Sequence, residues 1–198
     1  IKADTWIRIW SMSKLVTISI AMDLIEDGLI SLNDSVIKYI PEFQNLKVAV
    51  NNDGISLANV KAIESSCPVT LSENDSILKI KNLFDHTAGF YYALTGFDCL
   101  DSLIQQANIP IQENADSLIN RLSELPIMQH PGEIYKYGLN TTVLGLVLER
   151  ATGSSLNDLV INRIAEPYQI KGLKYRISQD VNLIPCFTGR DGYLRQVQ

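Results

Sequence analysis

Apolar residues recur along the chain in helical register, and Gly, Pro and Asn-Asp pairs interrupt them at intervals that mark out its elements. The longest apolar run, Leu15 to Ile25, sets Leu15, Ile18, Met22 and Ile25 on one stripe and Val16, Ile20 and Leu24 on another. It predicts a helix that is apolar on nearly every face and therefore buried, closed by Asp27-Gly28. Thr5 to Ile9 alternates, which predicts a short extended lead into that helix. After Gly28 a turn leads into a short helix that must stop before Pro41, because the residue ahead of a proline is pushed out of the helical region. Residues 44 to 75 are rich in Asn, Asp, Ser and Gly and predict an irregular excursion, with a small hairpin at Asn51-Asn52-Asp53-Gly54. Apolar order returns from Ile77 to Phe84 and runs into Asp85-His86-Thr87-Ala88-Gly89, where Gly89 is expected to stop the helix.

Helices follow at about 99 to 107 and 115 to 125, and Pro126 and Pro131-Gly132 end that region. Asn140 or Thr141 is expected to cap an apolar helix from Val143 to Ala151, with Gly153 as its stop, and Ser154 to cap another reaching Ile164. The last stretch changes character: Ile184 to Thr188 and Tyr193 to Val197 flank Arg190-Asp191-Gly192, a hairpin signal. Neither an internal repeat nor a low-complexity tract is present.

Composition narrows the class. A chain of 198 residues with 46% hydrophobic and 20% charged residues is long enough for one domain with a full core, so residues 1–198 are expected to form a single domain. Net charge of -5 without a basic cluster argues against nucleic acid as a partner. The apolar run is too short to span a bilayer and contains Asp23, so no transmembrane segment is expected. The chain opens Ile1-Lys2-Ala3 without an initiator Met, as a mature or excised piece would, which leaves the compartment open. Cys67, Cys99 and Cys186 are widely spaced and fit neither a metal site nor a full disulfide framework, so idle thiols are expected. No cluster has metal-ligand spacing, and neither a metal nor a cofactor is expected.

The candidate chemistry sits where the long helix begins. Ser11 and Lys14 are three positions apart and share a helix face, which puts an amine beside a hydroxyl. Burial lowers a lysine pKa, and a neutral Lys14 can take the Ser11 proton. A helix N-terminus at Ser11 adds the dipole and free N–H groups that stabilise a tetrahedral oxyanion. The same S-x-x-K spacing recurs at Ser35/Lys38 and Ser76/Lys79, where it reads as a first-turn Ser and a solvated Lys. For Ser11 and Lys14 the plain alternative is likewise a capping serine and a lysine that reaches water. His86, at a helix end, and His130, in a Pro-Gly turn, are the only histidines and the only candidates for a Ser-His pair.

Several stretches, in order, resemble one family. Arg8-Ile9-Trp10-Ser11-Met12-Ser13-Lys14, Asp27 to Phe43, Leu83-Phe84-Asp85-His86-Thr87-Ala88-Gly89-Phe90, Pro131 to Tyr137 and Leu144 to Gly153 are similar to the serine β-lactamase-like hydrolases, which comprise class C β-lactamases, DD-peptidases and esterases of that fold. The resemblance implies an α/β (α+β) serine β-lactamase/DD-peptidase-like fold, an antiparallel sheet plus a helical region, of which this chain is mostly the helical part. It implies Ser11 as acylated nucleophile, Lys14 as proton acceptor and Tyr137 as the phenol that relays the proton, acting with Lys14 as one coupled unit. Lys14 then fills the base role that His86 or His130 would otherwise take.

Two departures from the family pattern carry expectations. The family's Tyr-x-Asn has Leu139 at its third position, with Asn140 one residue late, and this tilts the substrate from amides toward small carboxylic esters, with Leu139 and Asn140 as substrate-binding candidates. The third motif, a basic residue before x-Gly, is absent as an independent match: Lys136-Tyr137-Gly138 overlaps the tyrosine motif and Phe187-Thr188-Gly189 lacks the charge. The expected whole is a serine hydrolase in which a complementing segment or chain completes the sheet. A β-lactamase or DD-peptidase is the alternative within the same chemistry, and a non-catalytic binding or assembly protein is the alternative of another class.

Overall fold

In the computed structural model of the protein, residues 2, 4–61, 69–109, 112–178, 180–188 and 195–197 are described. Helix α5 (Asn140–Thr152) lies at the centre of the helical layer, and Val143, Leu144, Val147 and Leu148 are fully buried. Around it stand α1 (Ser13–Glu26), α2 (Ile80–Phe84), α4 (Ala115–Ser123) and α6 (Leu156–Val160), which continues as a π turn over Ile161–Ala165. Their buried Ile20, Leu24, Leu83, Ile119 and Val160 join one apolar cluster with α5. Each such side chain removed from water contributes roughly 1.5–3 kcal/mol, which makes this contact set the main adhesive of the layer. Helix α3 (Asp98–Gln106) belongs to a second, smaller cluster through Leu100, beside Phe97 and Met128.

Among the described residues the strands form two separate antiparallel pairs. Strand β1 (Lys47–Val50) pairs with β2 (Thr70–Glu73), so that Lys47 faces Glu73 and Val50 faces Thr70. Strand β3 (Cys186–Thr188) pairs with β4 (Arg195–Val197); the Arg190-Asp191-Gly192 turn expected between them lies outside the described residues, as does Cys67. The lead into α1 is tied down by Trp6, whose N–H donates to Asn182 O at 2.8 Å and whose carbonyl accepts from Ile184 N at 2.9 Å.

Several expectations are met with altered boundaries. The 51–54 turn forms, with Asn51 Oδ1 accepting from the backbone of Asp53 and Ile55, but the stretch from 44 to 75 is not irregular throughout: its two ends, β1 and β2, pair with each other. Ser155, not Ser154, caps α6 by accepting from Asp158 N, and Leu139, not Asn140 or Thr141, is the N-cap of α5. The left-handed residue after α2 is His86, at φ 57, where Gly89 was expected as the stop; Gly89 comes later, packed so closely on Gln129 O that a Cβ would meet it at 2.9 Å. Cys99 is disulfide-bonded, against the idle-thiol expectation, while Cys186 is free.

The larger correction concerns α1, which is not buried on every face. Thr17, Ile20, Ala21 and Leu24 face the core, whereas Leu15 is 68% and Met22 44% exposed. Near the end of this open side, Arg163 donates to Asp23 at 3.0 Å and also binds Asp27. Apolar spacing alone does not decide burial, because folded proteins also expose apolar side chains. No helix among the described residues is long and apolar enough to cross a membrane.

Candidate active site

The chain enters α1 through a single 3₁₀ turn, Trp10–Met12, that carries Ser11. Trp10 is held at φ 48, a left-handed conformation that disfavours a bulky residue, and Ser13 Oγ donates to the Trp10 carbonyl at 2.6 Å. Backbone of this kind survives where its surroundings over-determine it, and such places cluster at functional sites. Ser11 therefore precedes the α-helix by one turn instead of opening it. Lys14, in the first turn of α1, brings Nζ to 3.3 Å from Ser11 Oγ.

Tyr137 arrives from the other side of the fold. Its hydroxyl lies 2.8 Å from Ser11 Oγ. The segment that carries it is laced to the turn after α2: Met128 N donates to Gly89 O at 2.9 Å, Gly132 N to Thr87 O at 2.9 Å and Lys136 N to His86 O at 2.8 Å. Gln129 adds two bonds from Nε2, to Thr87 O at 2.9 Å and Ile134 O at 2.7 Å. Gly138 then presses on Phe90, where a Cβ would stand 2.0 Å from the carbonyl oxygen, so only glycine permits the approach.

Charge around the triplet is set by Lys14. Burial pulls the Lys14 pKa down, but its interactions with the Tyr137 and Tyr92 phenols outweigh that, and the net shift is upward. Conversely, Lys14 first and Ser11 second draw the Tyr137 pKa below its ordinary value. The two directions agree: this geometry favours an ammonium beside a readily ionised phenol. They correct the expectation that burial would leave Lys14 neutral: burial is the largest single influence on it, but the phenols of Tyr137 and Tyr92 together outweigh it. Lys14 Nζ stands 4.9 Å from the Tyr137 ring centroid and 5.9 Å from that of Tyr92.

Ser11, Lys14 and Tyr92 line a cleft of about 560 Å³, whose walls include Trp6, Trp10 and Leu173. That volume is ordinary for a small-molecule site and its lining is largely apolar. Tyr92 was missed in the sequence because nothing in its spacing distinguishes it from Tyr91, which is buried in the smaller apolar cluster.

Leu139 and Asn140 are not brought to Ser11. Leu139 is 7% exposed within the main core, and Asn140 is fully buried with its amide nitrogen 3.2 Å from Lys136 O and 2.9 Å from His86 Nδ1. The helix that starts at Asn140 turns both side chains inward, away from the cleft. Of the histidines, His86 stacks on Tyr137 with centroids 5.0 Å apart, and His130 lies in its turn. Among the described residues no group of three or more His, Cys, Asp and Glu side chains is arranged to hold a metal ion.

Comparison with known proteins sets this geometry in a family. The Beta-lactamase family model matches residues 1–180, and the chain belongs to that family. It is 26% identical over 181 residues to ML-236A carboxylate methylbutanoyltransferase mlcH of Penicillium citrinum, covering 91% of this chain and 40% of the relative. Esterase EstB of Burkholderia gladioli is 27% identical over 169 residues, covering 84% of this chain and 37% of EstB. The unliganded selenomethionyl structure of simvastatin synthase (LovD) from Aspergillus terreus superposes with a TM-score of 0.76 at 23% identity, over all of this chain and 47% of that one. The chain thus spans less than half the length of these relatives.

Proposed function

We propose that this chain carries the nucleophile half of a serine hydrolase that acts through an acyl-enzyme on small carboxylic esters. The observation that carries the reading is the Ser11 hydroxyl within hydrogen-bond reach of both Tyr137, at 2.8 Å, and Lys14, at 3.3 Å, at the edge of an apolar-walled cleft. Ser11 Oγ attacks the ester carbonyl as its proton passes to Tyr137, whose ionised form is stabilised by the Lys14 ammonium. The tetrahedral oxyanion then collapses, the C–O bond to the alcohol breaks, and the same proton leaves with the alkoxide from Tyr137. Water repeats the sequence on the acyl-serine. The Ser11 backbone N–H supplies one oxyanion donor.

The sequence resemblance made Lys14 the proton acceptor. The opposed pKa directions favour Tyr137 in that role, with Lys14 as the fixed charge that tunes it. The ester preference is supported by the names of the relatives, an esterase and an acyltransferase.

The proposal includes a complementing segment or chain. Leu15 and Met22 on α1, together with Ile7 at 59% and Met12 at 60% exposure, leave an open apolar side next to the Ser11 turn. A sheet laid there would bring the second oxyanion donor, whose loss typically slows such enzymes by about a hundredfold to a thousandfold. The test is turnover of p-nitrophenyl esters of short acids, by the full reading frame and by residues 1–198 alone. The expected result is turnover by the full frame and at most a trace by the shorter chain. Full turnover by residues 1–198 would remove the need for a complement, and none by a folded full frame would refute the hydrolase.

A further inference from the structure

We propose that His86 is a positioning residue for Tyr137, held by Asn140 in the neutral tautomer that carries its proton on Nε2 and so fixing the phenol at Ser11. The inference rests on the reading of Tyr137 as the group that takes the Ser11 proton.

Three observations converge on it. First, the His86 ring stacks on that of Tyr137, with centroids 5.0 Å apart and planes at 30°, while the His86 carbonyl accepts from Lys136 N at 2.8 Å. One residue therefore grips the Tyr137 segment by backbone and by ring. Second, His86 sits at φ 57, at a helix end where glycine would be easier. Non-glycine residues in this conformation cluster at functional sites.

Third, Asn140 fixes the state of the imidazole. Its amide nitrogen is 3.2 Å from Lys136 O and 3.4 Å from Phe90 O, two carbonyls that can only accept, so the nitrogen and not the oxygen must face them. That same nitrogen lies 2.9 Å from His86 Nδ1. An amide nitrogen cannot accept, so an Nδ1–H aimed at it would have no partner, and the contact favours an unprotonated Nδ1 that shares the amide's two N–H groups with the carbonyls. A protonated His86 would set Nδ1–H against the amide N–H groups and loosen the clamp. Burial first, and then the charge of Lys14, hold the His86 pKa below the ordinary imidazole value, against the smaller pull of Asp85, which favours the neutral form the clamp needs. The phenols of Tyr135 and Tyr137 are the other ionisable groups whose rings meet it.

The experiment has a wild-type arm and a variant arm. Long-range ¹H–¹⁵N NMR correlations at neutral pH are expected to show His86 protonated on Nε2 alone; protonation on Nδ1 overturns the inference. In the variant His86→Asn the replacement tolerates left-handed backbone but lacks the ring. The Tyr137 titration is read at 295 nm by difference from Tyr137→Phe, and the rate of Ser11 phosphonylation by a fluorophosphonate is followed in the full reading frame. The expected result is a Tyr137 midpoint moved up toward that of free tyrosine and labelling slowed by roughly 10- to 100-fold, the scale of a misplaced reacting group. His86→Phe, which restores a ring to stack, is expected to recover part of the rate. An unchanged midpoint with unchanged labelling overturns the inference. If His86→Asn does not fold, His86→Gly takes its place under the same criteria. A wild-type protein without label on Ser11 would refute the hydrolase reading instead, and the Tyr137 midpoint would still decide the role of His86.

Discussion

The Tyr137 hydroxyl and Ser11 Oγ lie 2.8 Å apart, although 126 positions of chain separate them. That contact exists because the segment from Met128 to Gly138 is fastened to the turn after α2, and because Gly138 lets it lie flat against Phe90. Lys14 meets both groups from the first turn of α1. The site is thus a junction of three elements, and each can be tested separately.

Replacing Tyr137 with Phe removes only the hydroxyl. The side chain is 45% exposed, so the fold and its melting temperature should change little. Ester turnover by the full reading frame should fall by about 10²- to 10⁴-fold, the usual contribution of a positioned proton acceptor, mainly in kcat. Steady-state kinetics measure this directly, and a rate within a few-fold of wild type would exclude Tyr137 from the proton path.

The pH profile follows from the two opposed shifts. Tyr137 ionises below the ordinary phenol value and Lys14 keeps its proton above the ordinary ammonium value. Activity should therefore climb as pH rises through the Tyr137 transition and decline only as Lys14 loses its charge. In Lys14→Ala the phenol loses its main stabiliser, so its spectroscopic midpoint should return upward toward about 10. A midpoint that stays put would show that Lys14 does not tune Tyr137.

Gly138→Ala places a methyl where Phe90 O already stands, at 2.0 Å. The segment must back away, and overpacking of this kind costs roughly 1–3 kcal/mol. Denaturant unfolding should reveal that loss, and Ser11 labelling should slow because Tyr137 moves with its neighbour.

How much of this was legible in the sequence depends on how far apart the partners lie. Ser11 and Lys14 were readable because a helical turn fixes neighbours three positions apart. Tyr137 was reachable only through the family resemblance, since no local period connects it to Ser11. The stop of α2 was assigned to Gly89 because glycine is the usual left-handed residue, whereas His86 takes that conformation and its ring meets Tyr137. The pairing of β1 with β2 was hidden for a similar reason: a hairpin signal at 51–54 points to a local partner, and the ladder uses a remote one. Leu15 and Met22 read as core because apolar spacing cannot distinguish a buried side of a helix from an exposed one.

Leu139 shows where a resemblance can mislead a design. The resemblance made its position a candidate for substrate contact, yet here the side chain is 7% exposed in the main core. Leu139→Asn should accordingly bury an amide among apolar neighbours and destabilise by about 2–5 kcal/mol, visible as a lower melting temperature. Turnover of amide substrates relative to esters should not rise; a clear rise would put this side chain at the substrate.

The central claim is that Ser11 is an activated nucleophile, and covalent labelling tests it most directly. The full reading frame is treated with a fluorophosphonate and, separately, with a fluorescent penicillin, and the modified peptide is identified by mass spectrometry. The expected result is fluorophosphonate label on Ser11, lost in Lys14→Ala and Tyr137→Phe, with little penicillin label. A folded protein that takes neither label on Ser11 would contradict the account and leave a β-lactamase-fold scaffold that binds without catalysis.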